Sequence, residues 1–559
     1  MEKILRIFNK EYGNINQAAL LLGFFAFLSQ ILGLFRDRAI AHFIGPSLEL
    51  DAYYAAFRIP DMIFISIASL VSITVLIPFL AEKMPNMQIT ASAKRFFSDI
   101  FTIFLTGIIT VSIIVFILMP IIAPLITPGF TPFFQEKVII LSRIMLLSPI
   151  FLGLSNLFGS ITQLFRRFFL YSLSPLSYNL GIICGVVFFY PIFGINGVAA
   201  GVVLGALTHF IIQVFSSIGF GFRPIISLKI DWKTIKDVIF ISLPRTLGLS
   251  FNNIALILII AFASYLKEGS ISIFNLSFNL QSVPLGIIGL SYSVAAFPTL
   301  SRFFSTGKVK EFKEHLLSAG RQIVFWSLPV VFLFIVLRAQ IVRVILGTST
   351  FSWDNTRLIA ASLAIFSFSI VAQGLIALFA RAYYAGGNTR KPLYINLISS
   401  ISIVIFSFVL IYLFKNCDFF RYFIESALKV SDIAGTEVLM LPLAYSLGTI
   451  LNGILLQICI KKDFFNKEEF LKNTMFQSLG ASFIIGFVTY LFLNIFSPIF
   501  GTNTFLGIFF QGLLAGVSGI VSGIIVLYLL KSKELKELSI ALKTKFWKSK
   551  VIVPSQEEL

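Results

Sequence analysis

Apolar runs of roughly twenty residues recur from one end of the chain to the other, separated by short polar joints. A helix of about 20 residues rises about 30 Å, the thickness of a bilayer's hydrocarbon core. The pattern therefore predicts membrane-spanning helices, and fourteen can be read: 17–43, 51–80, 96–119, 137–163, 169–190, 195–219, 236–264, 271–300, 318–341, 357–383, 393–414, 437–460, 475–497 and 505–530. A transmembrane barrel needs short segments with strict alternation of apolar and polar residues, and these runs do not alternate. The fold class expected is an all-α integral membrane protein.

Two short matches point to an internal repeat. Pro175-Leu-Ser-Tyr-Asn179-Leu opens the fifth span and Pro392-Leu-Tyr-Ile-Asn396-Leu the eleventh, 217 residues apart. Pro78-Phe-Leu80 ends the second span and Pro298-Thr-Leu300 the eighth, 220 residues apart. Spans six apart share an orientation. The repeat predicts two six-helix lobes in parallel, related by a pseudo-twofold axis along the membrane normal, with an extra helix pair behind them. The expected segments are 1–222, 223–470, 471–530 and a basic tail at 531–559. Transporters built from such repeats bind their cargo between the halves.

Composition agrees with this picture and removes other classes. Hydrophobic residues make up 57% of the chain and charged ones only 13%, with 64 phenylalanines. A soluble enzyme, a disordered chain and a coiled coil are all excluded by those values. The net charge of +18 would raise nucleic acid as a partner in a soluble protein, but here the Lys and Arg residues sit mainly in short loops. Loop charge sets topology. With the N-terminus inside, the inner loops hold Lys83, Lys94, Arg95, Arg166, Arg167, Arg302, Lys308, Arg390, Lys391, Lys461 and Lys462, while Gly45–Leu50, Pro191–Asn196 and Ser497–Thr504 have none. Both ends are expected in the cytoplasm. Arg338, Arg343 and Arg357, with Lys415, Arg421 and Lys429, are the outer exceptions.

Catalytic and metal-binding patterns are missing. The sequence has no Gly-x-x-x-x-Gly-Lys-Ser/Thr loop, no Gly-x-Ser-x-Gly elbow and no His/Cys metal spacing. Cys184, Cys417 and Cys459 read as packing residues. A transporter without nucleotide hydrolysis, with no cofactor and no metal, is expected, drawing on an ion gradient, the membrane potential or downhill cargo.

Charges at membrane depth are costly and mark functional sites. Ala26, Ser29, Gly33, Arg36 and Asp37 share one face of the first span, if the helix continues that far; the alternative ends it at Phe35 and leaves Arg36-Asp37-Arg38 in a loop. Asp51, Tyr54, Arg58 and Asp61 form a stripe on the second span at spacings of 3, 4 and 3, continued by Ile65, Ser69 and Ser72. Asp61 or Asp51 can offset the charge of Arg58, and a structural ion pair is the alternative to a binding role. The seventh span carries Pro244-Arg245 and Asn252. The eighth carries Asn275, Asn279, Ser282, Gly286, Gly289 and Ser293 on one face, which fits either a polar wall or close helix packing. Arg36, Asp37, Asp51, Arg58, Asp61, Arg245, Asn252 and Asn279 are the candidate substrate-binding residues. Arginines suit an anionic cargo such as a phosphate or pyrophosphate, through planar two-point contacts.

Ser29-Gln-Ile-Leu-Gly-Leu-Phe-Arg36-Asp37 and Leu50-Asp51-Ala-Tyr-Tyr-Ala-Ala-Phe-Arg58-Ile-Pro60 resemble the opening of the MurJ (MviN) lipid II flippases, within the multidrug/oligosaccharidyl-lipid/polysaccharide exporter superfamily. Leu173-Ser-Pro175-Leu-Ser-Tyr-Asn179-Leu-Gly181, Leu243-Pro244-Arg245-Thr-Leu-Gly248 and Arg381-Ala-Tyr-Tyr-Ala-Gly-Gly-Asn-Thr389-Arg390 extend the resemblance in order over about the first 400 residues. It implies fourteen helices in two lobes around a cationic cavity, working by alternating access. The cargo implied is the undecaprenyl-pyrophosphate-linked peptidoglycan precursor, moved from the inner to the outer leaflet of the bacterial cytoplasmic membrane. The last two spans would hold its lipid tail, and Arg36, Asp37 and Asp51 match the family's positions. Gln30, Phe64 and Asn279 stand where many members carry Arg, and the eleventh span lacks the acidic residue of a sodium site described in some members. Arg58 and Arg245 are expected to supply the missing charge by converging with Arg36 on one cavity. The partners expected are a lipid-linked anionic substrate and membrane lipids, with no nucleic acid and a monomeric transport unit. A flippase for another polyprenyl-linked oligosaccharide, or an ion-coupled exporter of small amphipathic compounds, stands as the alternative.

Overall fold

The computed structural model describes residues 15–68, 76, 79–80, 82–84, 88–165, 167–223, 225–227, 230–348, 352–465, 471–501 and 504–537. Among them there are helices and no strand. The first helix, α1, spans Ile15–Phe43, and α2 spans Leu48–Ile63. Next come α3 (Ala91–Ile126), α4 (Pro132–Met145), α5 (Leu147–Leu164), α6 (Phe168–Cys184) and α7 (Ile195–Ile218). They are followed by α8 (Trp232–Ala263), α9 (Ser270–Pro284), α10 (Ser291–Ser305), α11 (Val309–Val336) and α12 (Arg338–Leu346). The chain continues through α13 (Trp353–Ser367), α14 (Ile370–Ala385), α15 (Arg390–Asn416), α16 (Asp418–Leu428) and α17 (Met440–Phe464). Two long helices complete it, α18 (Lys472–Phe500) and α19 (Phe505–Leu529).

Eleven helices among the described residues are long and apolar enough to cross a membrane, or twelve if α13 and α14, bent by 44° at their junction, form one broken span. They correspond to the third through fourteenth expected spans. The other two expected spans fall on α1 and α2. The helix α1 does continue through Arg36, Asp37 and Arg38 to Phe43, so the loop alternative for this segment is not what the chain adopts. The helix α2 is only 16 residues long, and four of them (Glu49, Asp51, Arg58 and Asp61) are charged.

Among the described residues three spans contain a π-helical turn: Phe64–Ala68 after α2, Gly185–Phe189 after α6 and Leu285–Leu290 between α9 and α10. A π-turn takes in one extra residue and so rotates every later side chain about the helix axis. The polar face read along the eighth span is therefore split. Asn275 and Asn279 precede the turn. Gly289 lies within it, and a Cβ there would stand 2.7 Å from the Cα of Gly374 in α14, so this half of the stripe is close packing. Ser293 follows the turn and accepts a hydrogen bond from Arg381 of α14.

By packing, the chain divides into two compact units: Met1–Val283 with Ile345–Phe366 and Gly387–Asn452, and Pro284–Val344 with Ser367–Gly386 and Gly453–Leu559. The first unit has a core of aromatic edges, in which the ring of Phe97 lies 5.2 Å from Phe158 and 5.4 Å from Phe222. Within it α6 and α7 touch backbone to backbone. A Cβ at Gly181 would stand 2.3 Å from the Cα of Gly205, and one at Gly185 would stand 2.6 Å from the Cα of Gly201. Only glycine allows that approach. In the second unit α18 and α19 pack by the same device, since a Cβ at Gly519 or Gly523 would collide with Thr489 or Ile485.

Two of the outer charge exceptions are matched by acids. Arg357 makes a two-point ion pair with Asp432, both contacts at 2.6 Å, and Arg421 lies 2.9 Å from Asp418. The exposed Asp432 carboxyl is held below its usual range by its hydrogen bonds with Arg357.

Candidate functional site

A cavity of about 240 Å³ lies in the first unit, walled by α1, α2, α6 and α9. The polar groups on its wall are Arg36, Asp37, Tyr53, Tyr54, Arg58, Asp61, Asn275 and Asn279. Its apolar wall is Ile40, Phe57, Ile182 and Phe278. Five of the eight candidates read from the sequence thus meet there: Arg36, Asp37, Arg58, Asp61 and Asn279.

Each of the three nitrogens of the Arg36 guanidinium donates a hydrogen bond. Its Nε and Nη2 donate to Asp37 Oδ1 at 3.0 and 2.8 Å, and its Nη1 donates to Asn179 Oδ1 at 3.2 Å. Asn179 is held in turn by donating its amide to Ser29 Oγ at 3.3 Å and to the Pro175 carbonyl at 3.3 Å. Asp37 is only 2% exposed, so a paired cation is what makes its burial tolerable.

Arg58 is held differently. Its Nη2 donates to Asn275 Oδ1, and Asn275 is fixed by donating to the Ile271 carbonyl one turn back in α9. Its Nε is buried without a hydrogen-bond partner, and so is the hydroxyl of Tyr54 one turn earlier. Among the described residues Arg58 makes no ion pair with Asp61 or Asp51. The cavity wall therefore keeps two buried donors in reserve, from a guanidinium and a phenol. Such groups are costly to bury unpaired unless a ligand takes them up.

The described wall is not cationic overall. It carries two arginines and two aspartates, Arg36 and Arg58 with Asp37 and Asp61, and its formal charges balance. Asn279 adds a neutral amide.

Two candidates, Asp51 and Asn252, lie elsewhere. Asp51 is 2% exposed and does not line the cavity. Its Oδ2 accepts from Gly269 N at 2.8 Å, and its Oδ1 accepts from Ser272 N at 2.7 Å and Ser272 Oγ at 2.5 Å. It caps the start of α9 from another helix, satisfying amides that the first turn cannot. The capping is reciprocal, because Glu268 Oε1, just before α9, accepts from Leu48 N at 3.1 Å in the first turn of α2. Asn252 has an exposed side chain and does not join the cavity. The side chain of Arg245 lies outside the described residues.

Asn179, Asn275, Tyr53 and Tyr54 serve the site without having been singled out for it by the sequence. Tyr54 and Asn275 stand on the polar stripes of their spans, one turn from Arg58 and Asn279, and that signal was available. Asn179 was visible as a repeat position and within a family motif, with no role attached to it.

A family model described as lipid II flippase MurJ matches residues 40–511. The chain belongs to the MurJ lipid II flippase family. It is 28% identical over 417 residues, 72% of its length and 79% of the relative's, to the probable lipid II flippase MurJ of Buchnera aphidicola subsp. Schizaphis graminum. It is 23% identical over 388 residues, 68% of its length and 75% of the relative's, to the lipid II flippase MurJ of Burkholderia cenocepacia. Its fold matches a solved lipid II flippase MurJ in an inward closed conformation at a TM-score of 0.72, with 22% identity, over 93% of this chain and all of that one. An inward-facing multidrug resistance MATE transporter of the MOP superfamily matches at 0.62, with 14% identity, over 81% of this chain and 100% of that one. The fold thus recurs among exporters whose named cargo differs.

Proposed function

We propose that the protein is a multi-pass membrane flippase that carries lipid II, the undecaprenyl-pyrophosphate-linked precursor of peptidoglycan, from the inner to the outer leaflet by alternating access. The family match over residues 40–511 carries this reading. The cavity supplies a way of working. The pyrophosphate takes the unpaired Nε of Arg58 and the hydroxyl of Tyr54, while Asn279 donates a neutral hydrogen bond and Phe57 and Phe278 exclude water. Arg36, Asp37 and Asn179 form a braced polar wall beside it. Fourteen spans with both termini in the cytoplasm follow from the loop charges. In that orientation the reciprocal caps between α2 and α9 stand on the outer side, and their release opens the cavity outward. The transport unit is one chain. The lipid tail runs along α18 and α19, whose outward faces expose Phe483, Phe487, Val517, Val521 and Ile524.

The balanced charge of the cavity supports a second reading in the same class, a polyprenyl-linked oligosaccharide with a less anionic linkage. One experiment separates the two. The resident flippase of a walled bacterium is depleted, this chain is expressed, and lipid II reaching the outer leaflet is followed by its accessibility to a secreted lipid II-cleaving enzyme. Restored exposure with restored growth supports lipid II as cargo. An abundant, membrane-inserted protein without exposure overturns it in favour of the second reading.

A further inference from the structure

A second polar pocket, also of about 240 Å³, lies wholly in the second unit. It forms where α11 passes the start of α18 and the chain leaving α19. We infer that this pocket binds the phosphate headgroup of an anionic membrane lipid. The leaflet, the inner one, rests on the orientation proposed above; the headgroup chemistry does not.

Three features converge on a phosphate. The first turn of α18 opens into the pocket through Asn473 and Thr474, and its N-cap position is Leu471, in the left-handed conformation at φ 60°, with no side-chain oxygen to cap the free amides. A helix of 29 residues whose N-cap side chain makes no hydrogen bond presents N–H donors and the positive end of its dipole. Arg321 of α11 faces the same space. Its nearest acid among the described residues, Glu534 Oε1, is 3.9 Å away, beyond hydrogen-bond reach. Glu534 is committed elsewhere, buried and accepting from Thr474 Oγ1 at 2.6 Å and Ser532 Oγ at 2.8 Å. Burial alone would raise its carboxyl, but those hydrogen bonds and the charge of Arg321 hold it below the usual range. Lys531 and Lys533 complete the rim, giving three cations to one spoken-for carboxylate.

A lipid fits better than a free ion because apolar surface leads away from the pocket. Leu317 and Leu471 line it, and the neighbouring turns of α18 and α19 expose Phe476 (76%) and Tyr528 (75%) outward. A phosphodiester can dock on Arg321 and the α18 amides while its acyl chains follow those faces. Basic pockets between spans on the cytoplasmic side recognise anionic headgroups in this way.

The test uses the full chain and binding alone. The protein in neutral phosphatidylcholine nanodiscs is titrated with phosphatidylglycerol, and retained lipid is read by native mass spectrometry. The wild type is expected to retain phosphatidylglycerol severalfold over phosphatidylcholine and to gain thermal stability from it. The triple variant Arg321→Gln, Lys531→Gln, Lys533→Gln is expected to lose both effects while melting like the wild type in neutral lipid. Absence of preference in the wild type, or a preference that survives the triple change, overturns the inference. Displacement of phosphatidylglycerol by millimolar inorganic phosphate overturns the lipid assignment and leaves a soluble-anion site. If Lys533→Cys is labelled only from outside intact cells, the orientation fails while the headgroup result stands, so the two readings fail separately.

Discussion

Two arginines face one cavity, and their surroundings differ. Arg36, on α1, spends its hydrogen bonds on Asp37 and Asn179. Arg58, on α2, has one bond to Asn275 and a buried Nε left over. The same side chain thus supplies a brace on one wall and an open contact on the other. What separates them is the neighbour. Asp37 is adjacent in sequence and buried beside Arg36, whereas Asp61 lies one turn from Arg58 and makes no pair with it.

The largest effect expected is on the braced side. Arg36→Ala leaves Asp37 buried without its cation, a change that typically costs about 3–5 kcal/mol. Folded protein in the membrane should fall sharply, and adding Asp37→Ala should restore most of it. Normal abundance in the single variant, measured by detergent-extracted size-exclusion profiles, would break the contrast.

Arg58→Ala comes next, and its effect should fall on cargo. A charge-assisted hydrogen bond is worth about 1.5–3 kcal/mol, so headgroup binding should weaken roughly tenfold or more at unchanged abundance. Arg58→Lys should recover only part, because an ammonium lacks the planar fork. Reconstituted vesicles loaded with fluorescent lipid II would report it. If Arg58→Ala together with Asp61→Ala transports normally, Arg58 is a structural residue after all.

Asp51→Asn tests a group that serves neither wall. The amide keeps one acceptor for the α9 amides and loses the charge, a capping loss of about 1 kcal/mol. Labelling of Ser47→Cys from outside should rise by roughly fivefold, following the open population. An unchanged labelling rate would detach the caps from opening.

The smallest effect belongs to an arginine that water can reach. Asp432 is exposed, and its carboxyl is held below the ordinary 3.8 by Arg357. The contribution of this pair is present above that unfolded value and fades as pH falls through the lowered one. A surface pair is worth little, so Asp432→Asn should leave the melting temperature near neutral pH almost unmoved and flatten only its decline in acid. A shift at neutral pH comparable to that of Arg36→Ala would erase the difference between buried and exposed partners.

Apolar run length was enough to expose the helical membrane fold, because the bilayer fixes the length of each span. Charge spacing located Arg36, Asp37, Arg58, Asp61 and Asn279 on one cavity for a similar reason: a helical stripe on each of three spans faces a common interior. Two things were out of reach. The π-turns at Phe64–Ala68 and Leu285–Leu290 carry no residue signature, so a 3.6-residue reading ran the polar face of the eighth span past the point where it rotates away. Cross-chain partners were the other. Nothing near Asp51 in the sequence announces that its carboxylate caps a helix beginning at Ser270, and nothing near Arg36 announces Asn179. Its stripe and its match to the family's position both group Asp51 with the cavity, and neither reveals the cap.

The glycine contact between α6 and α7 has a mechanical consequence. Two rods separated by side chains can slip and flex independently, whereas two rods in backbone contact along several turns bend as one beam of much greater stiffness. Asn179 lies two residues before Gly181, on that beam, and it grips Arg36. The charge on α1 is thus referenced to a pair of helices locked together at glycines, where a hydrogen atom stands in place of a side chain.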